Sequence, residues 1–581
     1  MTHVLKVVTR STGLLPASQG KEASQPTLAA RVIGGLAGCG FTHAFGIPGR
    51  HVQGLFHELP GSGITPILAR HEQGAVFMAD GFARAGGAPA VVIGTAGPGA
   101  ANMVTAVANA YADGTPVLCL TGAPPRHFAC RGAFQELGDD HTGVTPAVFA
   151  PITRYNAQLS HASQLGPVMR LALTALQEGG PVNLSFPADM LERPAPELPP
   201  YRPLALALPP DPTALAEAAG WLDGTHDILI LAGRGALGCD EALVALAERL
   251  QAPVITTIHG RGVINEDHPL ALGPQGFGAS HWAERWLATR RPSVVLAVGT
   301  SLREISTNVY DPVFQGTQAL IHCTRDTHAV GRAYTPTVPV IADAGAFLAA
   351  LLPLVPARTP NEDLAAFKAE TPRYDDGALA DGPGKVSPRR VTEAVRAALG
   401  PNDMLFVDTG NSAPWSVRYY PVRRRGTYFA SMHLAAMGWG VAAAVGAQLA
   451  RPNDRVVALV GDGCFQMAGM EVATAVQYGL PVVWVVLNDA RLNMVYQGSK
   501  GRYGAAVPNT ELSPVDCARV AEGLGARGFR VDDPARLDEV LAAALACGGP
   551  AVVDVAIDPD LAPPMAGRFE ALRRYEEAAS W

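Results

Sequence analysis

Residues 459–489 read LVGDGCFQMAGMEVATAVQYGLPVVWVVLND. An apolar run closes on Gly461, Asp462 and Gly463, a helix-like run follows, and a second apolar run closes on Asn488 and Asp489. Short, unbroken apolar runs bounded by turn residues are the pattern of strands buried on both faces. A helical run between two of them makes a βαβ unit with parallel strands. In such sheets ligands sit beyond the carboxyl ends of the strands, where Asp462 and Asn488 stand. A carboxylate, an amide oxygen and a free carbonyl are hard donors that suit Mg²⁺, an octahedral ion that usually shares its shell with phosphates. Gly461 and Gly463 let the backbone approach a phosphate closely. A helix after Cys464 would turn its N-terminus toward that anion. GDG by itself is better read as a turn. Its pairing with Asn488, 28 residues from Gly461 counted inclusively, is what points to a magnesium–diphosphate site.

The same alternation runs through the rest of the chain. Residues 26–193 hold strand-like AVVIGTAG, PVLCLTG and PVNLSFP; residues 205–357 hold DILILAG, PVITTI, SVVLAVGT and ALIHC; residues 386–562 hold DMLFVDTG and the run above. Proline-rich RPAPELPPYRPLALALPPDP and the stretch PLVPARTPNEDLAAFKAETPRYDDGALADGPGK read as linkers between them. The expected fold is three α/β domains, each a doubly wound parallel sheet. A length of 581 residues fits three or four domains, and 48% hydrophobic with 17% charged residues supplies large cores.

A net charge of −7, with acids and bases mixed, argues against nucleic acid as a partner. The longest basic run, Arg423 to Arg425, reads as a solvated loop. Eight scattered cysteines without a CxxC pair indicate neither a zinc site nor a disulfide framework. The first 25 residues lack the apolar core of a signal peptide, and no run approaches the roughly 20 apolar residues of a membrane helix. A cytoplasmic protein without a membrane partner is the expectation.

GDG, a helix, a strand and an Asn at this spacing resemble the cofactor motif of thiamine-diphosphate enzymes. That resemblance implies metal ligands at Asp462, Asn488 and the carbonyl of Ala490. It also implies a catalytic glutamate in the first domain, a buried carboxyl in apolar surroundings with a raised pKa. Glu72, followed by TAGPGAAN at residues 95–102, matches it, although a glutamate at a strand–helix junction is ordinarily a helix-cap acid. FGIPGRHV, with Gly49 and Arg50, resembles the loop near the substrate. GAFQE, with Phe134 and Gln135, resembles the AFQE loop of acetolactate synthases, where Gln135 would donate to the substrate. SMHLAAMG would place the carbonyl of Ala435 on the aminopyrimidine and Met437 beneath the bent cofactor. DTGNS would place Gly410, Asn411 and Ser412, with Gly461, Gly463 and Cys464, on the diphosphate; Met494 would lie beside the cofactor.

The resemblance spans about residues 26 to 560. It implies a pyrimidine-binding, a Rossmann-like middle and a diphosphate-binding domain, and a homodimer or homotetramer in which Glu72 of one copy completes the site of another. The activity it implies is decarboxylation of a 2-keto acid and transfer of the acyl carbanion to a carbonyl acceptor. Simple decarboxylation is the alternative, weakened by the lack of an adjacent His-His pair. A non-catalytic scaffold would be expected to lack the glutamate or a metal ligand.

The chain departs from that pattern at three pocket positions. Arg50 and His433 replace glycines, and Gly498 stands where the synthases carry a tryptophan that selects the second keto acid. Arg50 could pair with an anionic substrate or face solvent. GRGALG at residues 233–238 fits a dinucleotide fingerprint, yet the next strand ends in Thr257, Ile258 and His259 without the ribose-binding acid. VGTSLREISTN replaces the run usual in FAD-holding synthases, which weighs against FAD.

Overall fold

The apolar runs form eighteen parallel strands in three sheets among the described residues of the computed structural model, 25–578 without 87–88, 139–140, 142, 203–206, 225–226 and 376–379. The first 24 residues and parts of both proline-rich linkers lie outside them. The first sheet has β1 (His43–Gly46), β2 (Thr65–Leu68), β3 (Ala90–Gly94), β4 (Val117–Ala123), β5 (Tyr155–Gln158) and β6 (Val182–Pro187), in the order β2-β1-β3-β4-β6-β5. The second has β7 (Ile228–Ala232), β8 (Val254–Thr256), β9 (Ala271–Pro274), β10 (Val294–Val298), β11 (Ala319–Thr324) and β12 (Val338–Ile341), in the Rossmann-like order β12-β11-β10-β7-β8-β9. The third has β13 (Met404–Val407), β14 (Tyr428–Ala430), β15 (Val456–Gly461), β16 (Val482–Asn488), β17 (Arg527–Val531) and β18 (Ala551–Ala556), in the order β14-β13-β15-β16-β18-β17.

The outer sheets therefore share one topology. Each reverses its strand order between its first and third strands, and the crevice that forms at that reversal is where a ligand binds. In the third sheet it lies between β13 and β15, so it receives the residues after Val407 and Gly461. In the first sheet it lies between β1 and β3, so it receives the FGIPG and TAGPG loops.

Three helices position these crevices: α1 (Glu72–Gly86), α2 (Pro98–Asp113) and α3 (Trp439–Ala450). α1 and α3 are buried on nearly all sides and share one core between the first and third sheets. Gly81 and Gly446 let their backbones meet: a Cβ at Gly446 would overlap the Met78 carbonyl oxygen, and one at Gly81 the Ala443 carbonyl. Neither backbone can turn aside as a side chain could. Gly446→Ala is expected to cost about 3 kcal/mol or to prevent folding. An unchanged melting temperature would show that the two helices do not touch there.

Two expectations are corrected. The second linker contains a helix, Glu362–Glu370; the Asn361 side chain caps it at Leu364 N, and Leu364 and Phe367 pack into the core of the middle sheet. The helix after GDG starts at Asp462 rather than beyond Cys464. It ends at Ala468, passes through a 3₁₀ turn at Gly469–Glu471, and resumes as Val472–Tyr478. The run Arg423 to Arg425 is an exposed loop, as expected. At its surface Arg423 and Arg425 pair with Asp267 and Asp240 of the middle domain, and Arg424 bonds Asn402.

Candidate active site

Asp462 and Asn488 stand where the sequence places them, at the carboxyl ends of β15 and β16. Asp462 is buried and accepts from the Gly463 N–H at 2.9 Å. Burial and the Asp489 carboxylate push its pKa up to about 7, against the pull of the Gly463 and Ala490 N–H groups. Burial likewise pushes Asp489 up to about 6, although Asn493 Nδ2 donates to it. Two carboxyls that resist losing their protons in one crevice call for a cation. The other donors are arranged to match. Asn488 Nδ2 is spent on Val515 O at 2.8 Å and Asp554 Oδ1 at 2.9 Å, which leaves the amide oxygen for another partner. Ala490 holds a left-handed backbone, φ 55°, that turns its carbonyl out of the strand direction, and Leu512 N–H takes one of its two lone pairs. The donor set fits Mg²⁺.

Across the crevice, Gly410 has φ 95° with open space where a Cβ would be. Asn411 donates to Gln497 at 3.0 Å while its buried Oδ1 has no partner. Ser412 and Cys464 are turned away from a ligand: Ser412 Oγ donates to Asp408 O at 2.8 Å and Cys464 Sγ faces Thr409 O. Because the helix starts at Asp462, Cys464 falls on its inner side; any diphosphate contact from Cys464 is through its backbone. Met437 Cε lies 3.3 Å from the Cβ position of Gly463, and Ala435 is left-handed at φ 57°. Met494 is half-buried against the third sheet. Gly498 lies on the helix Asn493–Tyr503 with open space around it.

The first sheet carries the other half. Glu72 begins α1, is buried, and accepts from Asn102 Nδ2 at 3.0 Å. Its surroundings are thus less apolar than expected. Gly49 packs against the Thr95 side chain, and Gly97, at φ 63°, lies under the Gln135 carbonyl. Thr95 Oγ1 is buried without a partner, so this half also presents an unspent polar group. Arg50 and Phe134 are exposed.

Four positioning residues were not picked out from the sequence. Asp408 follows β13 and accepts four backbone N–H bonds, from Thr409, Gly438, Gly440 and Val441, which fixes the loop that carries Met437. Burial still pushes its pKa up to about 6. An acid directly after a strand at a switch point was the available signal. Glu471 accepts from Arg70 N and His71 N and so ties the approach to Glu72 onto the helices after GDG. Asp113 and His259 meet His433 in space: the His259 and His433 rings stack at 4.4 Å. The chain has no adjacent His-His pair, but the fold builds one from residues of two domains. In the middle sheet, Gly233 and Gly235 pack directly on the backbone of Gly299.

Three family models match the chain. The N-terminal TPP binding domain of thiamine pyrophosphate enzymes matches residues 26–144, their central domain 215–351, and their C-terminal TPP binding domain 408–555. A Mycobacterium tuberculosis protein named as an acetolactate synthase large subunit is 32% identical over 556 residues, 93% of this chain and 99% of its own length. One from Methanocaldococcus jannaschii is 33% identical over 565 residues, 92% of each. The isozyme 1 large subunit of acetolactate synthase from Escherichia coli is 31% identical over 537 residues, 90% of this chain and 94% of its own length.

Proposed function

The chain belongs to the thiamine pyrophosphate enzymes as an acetolactate-synthase-like member, and on that premise we propose that it decarboxylates a 2-keto acid, pyruvate first, and joins the acyl unit to a carbonyl acceptor. The observation that carries this reading is the crevice at β15 and β16. There a buried pair of reluctant carboxyls, an uncommitted amide oxygen and an out-turned carbonyl converge beside Gly410 and Asn411. Asp462, Asn488 and Ala490 would hold Mg²⁺. Gly410, Asn411, Gly461, Gly463 and the backbones of Ser412 and Cys464 would hold the diphosphate, with Ala435, Met437 and Met494 around the rings. Thiamine diphosphate, when bound, supplies a nucleophilic carbon and an electron sink. The chain's part is to orient, to exclude water and to move protons: Glu72 exchanges one with the cofactor ring and Gln135 donates to the substrate. Gly49, Arg50, Phe134, His433 and Gly498 bound the substrate pocket. The reading assigns no nucleotide to the middle domain, whose GRGALG glycines serve backbone packing.

We place Glu72 and the metal crevice of one site on two copies of the chain. Within one copy, Glu72 bonds Asn102, while Ala436 N bonds Asn109 Oδ1. These positions lie two turns apart on α2, about 10 Å at 1.5 Å per residue. One heterocycle cannot span that distance to touch both Glu72 and Ala435. Leu434, Met467, Met470 and Val495, exposed on the segments that frame the crevice, give a second copy an apolar surface to cover.

A second reading, simple decarboxylation, is favoured by the His259–His433 pair, since an imidazole could supply the proton that replaces the lost CO₂. Mass spectrometry of products from pyruvate, thiamine diphosphate and Mg²⁺ separates the two. Acetolactate is expected; acetaldehyde with CO₂ would favour the second, and failure to bind the cofactor would overturn both.

The raised Asp462 carboxyl makes metal binding pH-dependent. Mg²⁺ must displace its proton, so affinity falls as pH drops through about 7. The expected loss is up to about tenfold per pH unit below that point. Titration of Mg²⁺-dependent cofactor binding between pH 8 and pH 6 checks it; a flat profile would count against Asp462 as the ligand.

A further inference from the structure

Asp113 ends α2 and is wholly buried where loops of all three sheets meet. Arg84 donates to its Oδ2 at 2.7 Å, as does Ser431 Oγ at 2.5 Å, and His433 Nδ1 lies 2.7 Å from its Oδ1. His259 Nε2 is 3.7 Å from that same oxygen, and its ring stacks on His433. Arg84 also bonds Asp80, and half-buried Arg234 donates to Gly114 O beside them. Burial alone would raise the Asp113 carboxyl, but Arg84, His259 and His433 hold it well below the usual carboxylate range. Burial and the neighbouring His433 hold His259 neutral.

These charges decide what His433 can do. A carboxylate can only accept, so the proton between Asp113 and His433 sits on Nδ1. That fixes one tautomer and leaves Nε2 as the ring's free atom, the arrangement by which a buried aspartate prepares a histidine for proton transfer. The His433 side chain is 15% exposed while Asp113 is 0% and His259 5%. With Nδ1 closed by Asp113 and one face closed by His259, the opening includes the edge that carries Nε2. His433 lies two residues before Ala435 and four before Met437, whose side chain reaches Gly463. A divalent cation fits this cluster poorly, because Arg84 and Arg234 already balance Asp80 and Asp113, and Met432 N–H approaches His259 Nε2 at 3.4 Å.

We propose that His433 is a catalytic proton-transfer residue of the acyl transfer and that Asp113 positions it, an inference that rests on the function proposed above. With the cofactor bound, the π pair of the acceptor carbonyl would move to its oxygen as the new C–C bond forms, and that oxygen would take the proton that Nε2 holds from the preceding product release, or from solvent in the first turnover. On product release, the hydroxyl on the donor carbon returns a proton to Nε2. Its O–H pair would become the π pair of the product's carbonyl as the product leaves, the electron sink that the cofactor supplies taking up the pair of the bond that breaks. His433 ends each cycle in the protonation state in which it began.

His433→Asn tests this directly, because the Asn amide can still donate to Asp113 as Nδ1 does while nothing replaces Nε2. We expect kcat to fall about 100-fold, the pH profile of kcat to lose one limb, and thiamine diphosphate affinity to stay within about twofold. Asp113→Asn should lower kcat as well, because an amide in place of the carboxylate no longer fixes the Nδ1–H tautomer of His433. In histidine-¹⁵N-labelled, cofactor-free protein, the His433 signals should report the Nδ1–H tautomer in the wild type and lose it in Asp113→Asn. An unchanged kcat and profile in His433→Asn would overturn the proposal. So would a parallel loss of cofactor affinity, which would mark a structural role, or a stoichiometric transition metal lost with His433. Failure of the wild type to bind thiamine diphosphate would instead sink the underlying function, and the tautomer measurement would still stand.

Discussion

Glu72→Gln is expected to bind thiamine diphosphate and Mg²⁺ within about threefold of the wild type and to lose about 1,000-fold in kcat, in the range general acid–base removal produces. Glutamine keeps the volume of the side chain, and its amide oxygen can still accept from Asn102. The helix start, and the close packing of Gly99 near Glu72 Oε1, are therefore undisturbed. What disappears is only the exchangeable proton. Calorimetric cofactor binding together with steady-state turnover checks both halves. Full turnover would remove Glu72 from its role; loss of cofactor binding would make it a structural residue.

Asp462→Asn should act in the opposite way. Its Mg²⁺-dependent cofactor affinity should fall about 100-fold or more, since a hard anionic ligand becomes a neutral amide. The cofactor-free protein should nevertheless gain stability at pH 8. A carboxyl whose folded pKa is raised to about 7 is held more tightly by a proton in the folded state than in the unfolded one. Stability is therefore lost as pH rises from the unfolded value toward 7, and the asparagine escapes that loss, on the order of 2–4 kcal/mol. Denaturant unfolding at pH 5 and pH 8 tests the sign. Equal stability at both pH values in wild type and variant would show that Asp462 is not strained by burial and Asp489. Mixing the Glu72→Gln and Asp462→Asn proteins under subunit exchange should restore about a quarter of wild-type activity, because a hybrid dimer holds one intact site. No recovery despite exchange would argue that each site belongs to a single chain.

What the sequence by itself determined is local. Strand runs such as VVALVG and VVWVVLN, the turn at Gly461 to Gly463 and the 28-residue step to Asn488 depend on neighbouring residues, so they are legible without a fold. The three-sheet α/β architecture followed from the repetition of those runs, α1 was expected as the helix after Glu72, and α3 from its apolar run MGWGVAAAVGAQLA. The start of the helix after GDG was less legible. Gly463 and Cys464 form a turn or a helix equally well, and an error of two residues rotates every later side chain by about 200°. Whether Cys464 faces a ligand or Thr409 therefore waited on the structure.

Tertiary structure alone decided the rest. Asp113 and His433 are 320 residues apart and belong to different domains, yet they meet at 2.7 Å. His259, Arg84 and Arg234 reach the same point from three further segments. No local pattern marks any of them, because an aspartate at a helix end and a histidine after a strand are ordinary residues where they stand. Their chemistry comes from being buried together, where low dielectric strengthens each pairing and fixes each proton. Burial of that kind is a property of how the three sheets pack, and no stretch of the chain carries it alone.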